Sequence, residues 1–246
     1  MRLFGLIGYP LTHSFSKDYF AVKFKREAVE DCRYENFQLP NITDLPDIIK
    51  GNPDLAGLNI TIPYKESVLS FLDEKNDLVT QTGACNCIKI ISGKLIGFNT
   101  DVIGFEKSLL TKLRPHHKNA LILGTGGAAK AVEFVLKKNQ VRYTYVSRKH
   151  SPTNITYEQL TPDVLEKNQL IINTTPIGMY PKVNEILPLP FEGITPKHFL
   201  FDLIYNPPKT LFLKKGQERG AVIQNGFEML VWQAEESWKI WNQFPR

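Results

Sequence analysis

A glycine-rich segment near the middle of the chain has the spacing of a phosphate-binding turn. Gly124, Gly126 and Ala129 fit the pattern G-x-G-x-x-G/A, with the apolar run 120–123 before them and a helical pattern after them. The first glycine permits a tight turn, the second lets the backbone approach a pyrophosphate, and the small third residue allows close helix packing. Exposed N–H groups and the helix dipole would attract the anion. The segment predicts a dinucleotide site, the alternative being a purely structural turn.

Two cations stand where dinucleotide folds distinguish NAD from NADP. NAD-binding folds usually carry an acidic residue about 20 positions after the fingerprint, where it binds the ribose 2′-hydroxyl. Here Ser147, Arg148 and Lys149 follow, and Ser147 is 21 positions after Gly126. A guanidinium can hold a 2′-phosphate through two hydrogen bonds, whereas a carboxylate would repel it. The segment therefore favours NADP, unless Arg148 and Lys149 are a solvated loop pair.

A lysine and an aspartate follow two predicted strands in the first part of the chain. Asn59 and Thr61 share one face of a strand that ends just before Lys65, and the run 99–101 places Asp101 at the end of another strand. Ligands of α/β proteins usually bind at such strand ends. A lysine of ordinary pKa, about 10.4, relays protons poorly near neutrality unless its site changes that value. Each of the two alone is an ordinary surface charge, and only the Asn and Thr residues beside them make these positions candidates for a ligand site.

The elements that must position these residues alternate between strands and helices, which is typical of an α/β fold. Ser92-Gly93 predicts a hairpin turn, and a helix is expected from Asp101 to about Leu113. A domain boundary is expected near residue 101, before a doubly wound, Rossmann-like sheet. The predicted strands are 3–8, 33–39, 56–62, 87–91, 94–98, 120–123, 142–147, 170–173, 199–203 and 221–224, and a last, apolar helix runs from Gly226 to about Asn242.

Composition restricts the possible function classes. The 246 residues include 30 Lys and Arg against 25 Asp and Glu, a net charge of +5, and 42% of them are apolar. The basic residues form no stripe interleaved with aromatic residues, so no nucleic-acid partner is expected. No apolar run approaches the ~18 residues of a membrane helix, and no His or carboxylate cluster has metal-ligand spacing, so neither a membrane nor a metal is expected.

The cysteines and the first residues bear on the cellular setting. Cys32, Cys85 and Cys87 cannot all pair, and Cys85-x-Cys87 lacks the gap of common zinc or redox motifs, so a reduced, cytoplasmic setting is expected. The N-terminus begins like a signal peptide, but Tyr9-Pro10 interrupts it and no small-residue cleavage site follows. We interpret it as the first strand.

A series of segments, in family order, resembles the shikimate/quinate dehydrogenase family nearly end to end. They are Gly8-Tyr9-Pro10-Leu11-x-His13-Ser14-x-Ser16, Asn59-Ile60-Thr61-Ile62-Pro63-Tyr64-Lys65, Gly83-Ala84-x-Asn86, Gly97-Phe98-Asn99-Thr100-Asp101-x-x-Gly104-Phe105, Gly124-Thr125-Gly126-Gly127-Ala128, Asn173-Thr174-Thr175-Pro176-x-Gly178-Met179, Asp202-x-x-Tyr205-x-Pro207 and Asn225-Gly226-x-x-Met229-Leu230-x-x-Gln233. The resemblance implies NADP-linked interconversion of 3-dehydroshikimate and shikimate, on the route to chorismate and the aromatic amino acids.

The resemblance also implies residue roles on the substrate side. Lys65 would be the general acid/base and would also contact the substrate, and Asp101 would orient it. The shikimate carboxylate would be bound by Ser14 and Ser16 with Tyr205 in support, and the ring hydroxyls by Thr61, Asn86, Asp101 and Gln233. Each residue also has a structural alternative, since Ser14 or Ser16 could cap the first helix, Asn86 could hold a turn, and Gln233 could be an ordinary helix position.

On the cofactor side, the resemblance implies a site for NADP with contributions from three regions. Its residues would be Gly124, Thr125, Gly126, Gly127 and Ala128 in the turn, Ser147, Arg148 and Lys149 after the next strand, and Thr174, Thr175, Gly226 and Met229 along the nicotinamide path. Met229 is equally well explained as a core residue. The implied domains are a substrate-binding catalytic domain, 1–101 joined by helix 226–246, and an NADP-binding domain, 102–225.

The chain departs from the family pattern in a few places. Lys17 stands where the family usually has proline, and Cys87 where it has threonine. Ser147 stands where the family has asparagine, so the segment that favours NADP matches the family motif only in part. The 24 residues 149–172 are fewer than most relatives use there and contain two prolines. We expect the second domain to lack one element after residue 149, with a loop over the adenine side.

Two alternative functions remain open from the sequence. A quinate/shikimate dehydrogenase would also accept quinate and NAD, and its discrimination would depend on contacts near Ser14, Ser16 and Thr61. A catalytically idle dinucleotide sensor belongs to another class, but it would need neither Lys65 nor Asp101. A monomer or a homodimer is expected.

Overall fold

Two six-stranded sheets organise the chain, and the computed structural model describes residues 1–11 and 15–243. The chain divides into two compact units, one formed by residues 1–100 with 234–246 and the other by residues 101–233. The α/β class predicted from the sequence is confirmed.

The first unit contains a mixed sheet in the order β2-β1-β3-β5-β6-β4. β1 pairs in parallel with β2 and β3, whereas β5 is antiparallel to both β3 and β6, and the predicted turn at Ser92-Gly93 connects β5 to β6. The strands are β1 (Arg2–Gly8), β2 (Cys32–Gln38), β3 (Leu55–Ile60), β4 (Glu74–Lys75), β5 (Cys87–Ile91) and β6 (Lys94–Phe98), and the helices are α1 (Phe15–Arg26), α2 (Leu45–Gly51) and α3 (Asp77–Thr82).

Both faces of this sheet are covered because alternate residues of β1 enter opposite hydrophobic clusters. Leu3 and Ile7 lie in one cluster, whereas Phe4 lies in the other with Trp241 of the last helix. The ring centroids of Phe4 and Trp241 are 4.6 Å apart, and the Trp241 Nε1 donates to the Ile88 carbonyl at 2.9 Å. A side chain at Gly57 would collide with this indole, so the end of the last helix packs closely on the sheet.

The second unit is a parallel sheet in the order β9-β8-β7-β10-β11-β12. The chain moves outward from β7 to β9, crosses to β10 on the other side of β7, and moves outward again to β12, which is doubly wound topology. The strands are β7 (Asn119–Leu123), β8 (Arg142–Ser147), β9 (Asn154–Thr156), β10 (Leu170–Asn173), β11 (Phe199–Asp202) and β12 (Val222–Gln224), and the helices are α4 (Thr100–Leu110), α5 (Gly127–Lys138), α6 (Pro162–Lys167), α7 (Leu211–Glu218) and α8 (Phe227–Asn242).

The segment after β8 is short, as expected, but it is not only a loop. Among the described residues, no helix starts directly after Lys149; a single 3₁₀ turn at Tyr157–Gln159 precedes the six-residue α6, which is the next α-helix. The three residues of β9 pair in parallel with β8, so the expectation of a loop is wrong for them. Three residues are too few to show the two-residue periodicity by which a strand is recognised in a sequence.

His117, just before β7, is buried in the neutral form. Its Nδ1 accepts from the Arg114 N–H at 3.0 Å, so its Nε2 carries the proton and donates to the Lys197 carbonyl at 3.2 Å. Burial, with a smaller contribution from the neighbouring His116, lowers the pKa of His117 to about 4.

We predict that His117 makes the protein acid-sensitive between pH 6.5 and 4. In that range an unfolded histidine, with a pKa of about 6.5, binds a proton that the folded one does not. The contribution of His117 to the free energy of unfolding is therefore fully present above pH 6.5 and is lost as the pH decreases towards 4. At pH 5 the loss should reach at most about 2 kcal/mol, since one pKa unit corresponds to about 1.4 kcal/mol. His117→Asn keeps one acceptor and one donor, and urea unfolding should show a smaller loss from pH 8 to pH 5 than in the wild type. Parallel pH profiles would contradict the prediction.

Candidate active site

The glycine turn lies at the point where the winding direction of the parallel sheet reverses. β7 and β10 are neighbours, and Leu123 and Asn173 are paired at their ends. Gly124 follows with φ +104°, a conformation that favours glycine, and a Cβ on it would lie 2.8 Å from the Thr174 Oγ1 and 2.9 Å from the Thr175 Cγ2. The fold itself therefore requires glycine at position 124.

Gly126 differs because the protein does not need a glycine there. Its φ of −81° suits any residue, and among the described residues no heavy atom outside its chain neighbours lies within 4 Å of an added Cβ. It is the N-cap of the 12-residue helix α5, whose first turn contains no acidic residue. An open approach to a helix N-terminus is what a phosphate ligand needs, so the turn fits a dinucleotide.

The two candidate cations are exposed and follow β8 in a loop with defined hydrogen bonds. The Ser147 Oγ accepts from the Lys149 N–H at 3.2 Å, and the Asn154 Nδ2 donates to the Ser147 Oγ and to the Lys149 carbonyl, both at 3.1 Å. Asn154 belongs to the unexpected strand β9, and sequence reasoning missed it. The loop that carries Arg148 is thus shaped by the segment that the sequence left undefined.

The threonines after β10 are hydrogen-bonded towards the glycine turn. The Thr174 Oγ1 donates to the Leu123 carbonyl at 2.8 Å, and the Thr175 N–H and Oγ1 both donate to the Asn173 Oδ1, at 2.9 and 2.7 Å. With the close approach to Gly124, these bonds bring the predicted Thr174 and Thr175 together with the predicted turn.

Four further candidates of the second unit lie in the loop after β11 and at the beginning of α8. Gly226 leaves no room for a Cβ against the Leu203 carbonyl, and its N–H donates to the Ile204 carbonyl at 3.0 Å, next to the half-buried Tyr205. Met229 and Gln233 are each 6% exposed. A Cβ on Gly104 of α4 would lie 3.1 Å from the Gln233 Cβ, so α8 passes close to α4 within this unit.

In the first unit, the segment after β3 is held by its own backbone. The Thr61 N–H donates to the Ile7 carbonyl at 2.9 Å, and the Lys65 carbonyl accepts from the Cys85 N–H at 2.7 Å. The Tyr64 ring is buried between these positions, and its hydroxyl donates to the Leu39 carbonyl. Thr61 and Lys65 are therefore presented, half-buried, from a fixed loop.

Asn86 belongs to a buried hydrogen-bond network that sequence reasoning largely missed. Its Oδ1 accepts from the Thr100 N–H at 2.6 Å, and its Nδ2 donates to the Thr100 Oγ1 at 2.9 Å. The Thr100 hydroxyl lies 3.3 Å from the Ser237 hydroxyl, which accepts from the Asn59 Nδ2 at 2.9 Å. The Tyr34 hydroxyl donates to the Asn59 Oδ1 at 2.9 Å. The network orients the Asn86 amide unambiguously.

The network extends to α1. Ser16 hydrogen-bonds the Tyr34 phenol, and burial raises the pKa of Tyr34 well above 10. Since α1 begins at Phe15, Ser16 lies within its first turn, and Ser14 lies outside the described residues. Asp101 is 6% exposed in the first turn of α4, where the helix dipole favours a carboxylate. Lys65 belongs to the first compact unit and Asp101 to the second.

Two kinds of feature are absent from residues 1–11 and 15–243, a metal-binding cluster and a membrane-spanning helix. No group of three or more His, Cys, Asp or Glu in that part of the chain could hold a metal ion. No helix there is both long and apolar enough to cross a membrane.

Comparison with known proteins gives a consistent result. The family model for the shikimate dehydrogenase substrate binding domain matches residues 6–88. A shikimate dehydrogenase (NADP(+)) from Desulforamulus reducens is 33% identical, and the alignment covers 98% of this chain and 89% of that protein.

Solved structures agree with this. The shikimate 5-dehydrogenase of Thermus thermophilus in complex with NADP(H) and shikimate superposes with a TM-score of 0.87 at 29% identity, covering 100% of this chain and 95% of that one. The Listeria monocytogenes shikimate 5-dehydrogenase in complex with shikimate and NAD has a TM-score of 0.84 at 26% identity, with 98% and 91% covered.

We predict opposite effects of alanine at the two glycines of the turn. Gly124→Ala places a Cβ at positive φ against two threonines and should lower the free energy of unfolding by about 1–3 kcal/mol. Gly126→Ala, the matched control, should leave it unchanged or raise it by up to about 1 kcal/mol. Urea unfolding of both variants measures the difference, and equal losses would show that the steric distinction is wrong.

Proposed function

Because the chain belongs to the shikimate dehydrogenase family, we propose that it interconverts 3-dehydroshikimate and shikimate with NADP, on the route to chorismate and the aromatic amino acids. The observation that carries the proposal is the nearly full-length relation to a shikimate dehydrogenase (NADP(+)), in a chain that retains Lys65, Asp101 and the dinucleotide turn.

NADP, when bound, supplies or accepts the hydride. The residues proposed to hold it are the turn Gly124, Thr125, Gly126, Gly127 and Ala128, the loop Ser147, Arg148 and Lys149, and Thr174, Thr175, Gly226 and Met229. The open backbone at Gly126 supports a phosphate in the turn. The exposed guanidinium of Arg148 supports a 2′-phosphate, because it offers paired donors to that group.

Lys65 is proposed to move the proton. During ketone reduction its Nζ donates to the oxygen that becomes the hydroxyl, and during alcohol oxidation it takes the proton back. Asp101 orients the ammonium and accepts from the same substrate hydroxyl.

Shikimate binding is proposed to rely on neutral hydrogen-bonding groups. Ser14, Ser16 and Tyr205 would bind the carboxylate, and Thr61, Asn86, Asp101 and Gln233 the ring hydroxyls. The fixed orientation of the Asn86 amide and the hydrogen bond of Ser16 to the Tyr34 phenol support this, because preorganised groups lose little entropy on binding.

We assign substrate binding to a domain of residues 1–101 with helix 226–246, and cofactor binding to residues 102–225. The compact units divide instead after Thr100 and after Gln233, so α8 begins in the unit of the cofactor residues. A cytoplasmic setting is proposed from the buried thiols Cys32, Cys85 and Cys87, and a monomer or homodimer is proposed as the assembly.

One assay tests the function. The protein is mixed with shikimate or quinate, each with NADP⁺ or NAD⁺, and the absorbance of the reduced nicotinamide is followed. Turnover chiefly with shikimate and NADP⁺ is expected. Comparable rates with quinate or NAD⁺ would favour the broader quinate/shikimate dehydrogenase, and no turnover in any combination would favour a non-catalytic sensor.

We predict that Lys65→Ala lowers kcat about 10²- to 10⁴-fold while the Kd for shikimate changes little, because the variant lacks the proton donor but keeps the neutral binding groups. Steady-state kinetics and calorimetric titration measure the two quantities. Lys75→Ala, an exposed lysine of β4, is the control. Near-normal turnover of Lys65→Ala would remove Lys65 from the mechanism.

We predict that Arg148→Ala weakens NADPH binding far more than NADH binding, because only NADPH carries the 2′-phosphate. Fluorescence titration of both reduced cofactors gives the ratio of dissociation constants. Arg142→Ala removes an exposed arginine from the opposite end of β8 and should leave that ratio unchanged. Equal losses for both cofactors would contradict the assignment of Arg148.

A further inference from the structure

Asp202, at the end of β11, is a fully buried carboxylate that the proposed reaction does not use. Its Oδ1 accepts from the Asn173 Nδ2 and from the Ile204 N–H, both at 3.0 Å, and its Oδ2 accepts from the Thr210 Oγ1 at 2.6 Å. Burial raises the pKa of Asp202 to about 7, so keeping its carboxylate ionised here costs free energy, which the three hydrogen-bond donors partly offset. That cost calls for a role that a neutral side chain would not fill.

A carboxylate at position 202 fixes the orientation of the neighbouring Asn173 amide. The Asn173 amide has a donor on one side and an acceptor on the other, and an ionised carboxylate only accepts. Asp202 therefore turns the Asn173 Nδ2 towards itself, which leaves the Oδ1 facing Thr175. That oxygen accepts from both the N–H and the hydroxyl of Thr175, and the Thr175 Oγ1 accepts from the Ile177 N–H at 3.3 Å.

The same loop is held on its other side by the glycine turn. Thr174 donates to the Leu123 carbonyl, and both threonines lie within contact distance of an added Cβ on Gly124. The distance between the loop 174–177 and the phosphate-binding turn is thus set by Gly124 on one side and by Asn173, through Asp202, on the other.

A second arm of the carboxylate reaches the start of α8. The Ile204 N–H donates to Asp202, while the Ile204 carbonyl accepts from the Gly226 N–H, where the Leu203 carbonyl also leaves no room for a side chain. The third donor, the Thr210 hydroxyl, accepts from the Leu213 N–H at the start of α7. One carboxylate therefore fixes two loops at the carboxyl edge of the sheet.

We propose that Asp202 is a positioning residue for the cofactor site: from a buried position it fixes the Asn173 amide and the loops 174–177 and 203–205, and so sets the affinity for the nicotinamide dinucleotide. The inference rests on the proposed use of NADP. It concerns both NADPH and NADH, because these loops are distant in sequence from the loop that carries Arg148.

Asp202→Asn tests the proposal, since an amide of the same size can donate as well as accept and therefore no longer requires the Asn173 Nδ2 to face position 202. The Kd for NADPH, titrated by fluorescence without shikimate, should rise about 10-fold, as for one lost buried hydrogen bond to a charged group. The KM for shikimate at saturating NADP⁺ should not change. In the ligand-free protein, hydrogen exchange at the Thr175 and Ile177 amides should be faster.

The exchanged pair Asp202→Asn with Asn173→Asp is the rescue. The amide introduced at position 202 then donates to the carboxylate introduced at position 173, which still accepts from Thr175, so the Kd and the slow amide exchange should largely return. Leu200→Ala is the stability control, because Leu200 is buried on the same strand, lies against Gly216 of α7 and makes no hydrogen bond to Asn173 through its side chain. It should lower the midpoint of thermal unfolding without changing the Kd at about 20 °C.

Several outcomes would overturn the proposal. They are a wild-type Kd and wild-type amide exchange in Asp202→Asn, an equal rise of the Kd in Leu200→Ala, or an exchanged pair no better than the single variants. A wild-type protein that binds neither NADPH nor NADH would also overturn it. A wild-type protein that binds NADPH but oxidises no shikimate would refute the proposed function alone.

Discussion

The reversal of winding direction between β7 and β10 is the constraint on which the second unit depends. Two parallel strands side by side, whose chains leave in opposite directions, leave a gap at their carboxyl ends that no connection covers. The gap can be narrow only if the residue after β7 has no side chain, and Gly124 meets that condition against Thr174 and Thr175. An added Cβ on Gly126, in contrast, would meet no heavy atom within 4 Å in the described part of the chain, so the backbone there is open to a ligand.

The first unit solves a different problem, which is how to fix polar groups inside an apolar sheet. A buried amide or hydroxyl without a partner costs about 1–3 kcal/mol, so such groups must be satisfied together. Tyr34, Asn59, Ser237, Thr100 and Asn86 do this in a single chain of hydrogen bonds. Ser237 comes from the last helix, which explains why that helix returns to the sheet formed by the beginning of the chain.

The features that could be predicted from the sequence were those determined by a few neighbouring residues. The turn at Gly124, the hairpin at Ser92-Gly93 and the apolar strands depend on local spacing and were found. β9 was missed because three residues carry no period, and Asn154 was missed with it. Ser237 and Tyr34 are far apart in the chain, and only the packing of α8 on the sheet makes them members of one network. The roles of Lys65, Asp101 and the other site residues stay predictions.

The loops of the proposed cofactor site are held by hydrogen bonds that differ in burial. The loops after β10 and β11 differ in this from the loop that carries Arg148, and the difference affects how cofactor preference could change. The loops after β10 and β11 are fixed by a buried carboxylate with three donors, where each lost bond leaves a desolvated group. The loop of Arg148 is fixed by one part-buried and one exposed bond from Asn154, and water can replace the exposed one at little cost. Under the proposed roles, substitutions in the loop of Arg148 would alter the preference between NADP and NAD with little effect on the sheet, whereas substitutions around Asp202 would weaken the binding of both cofactors.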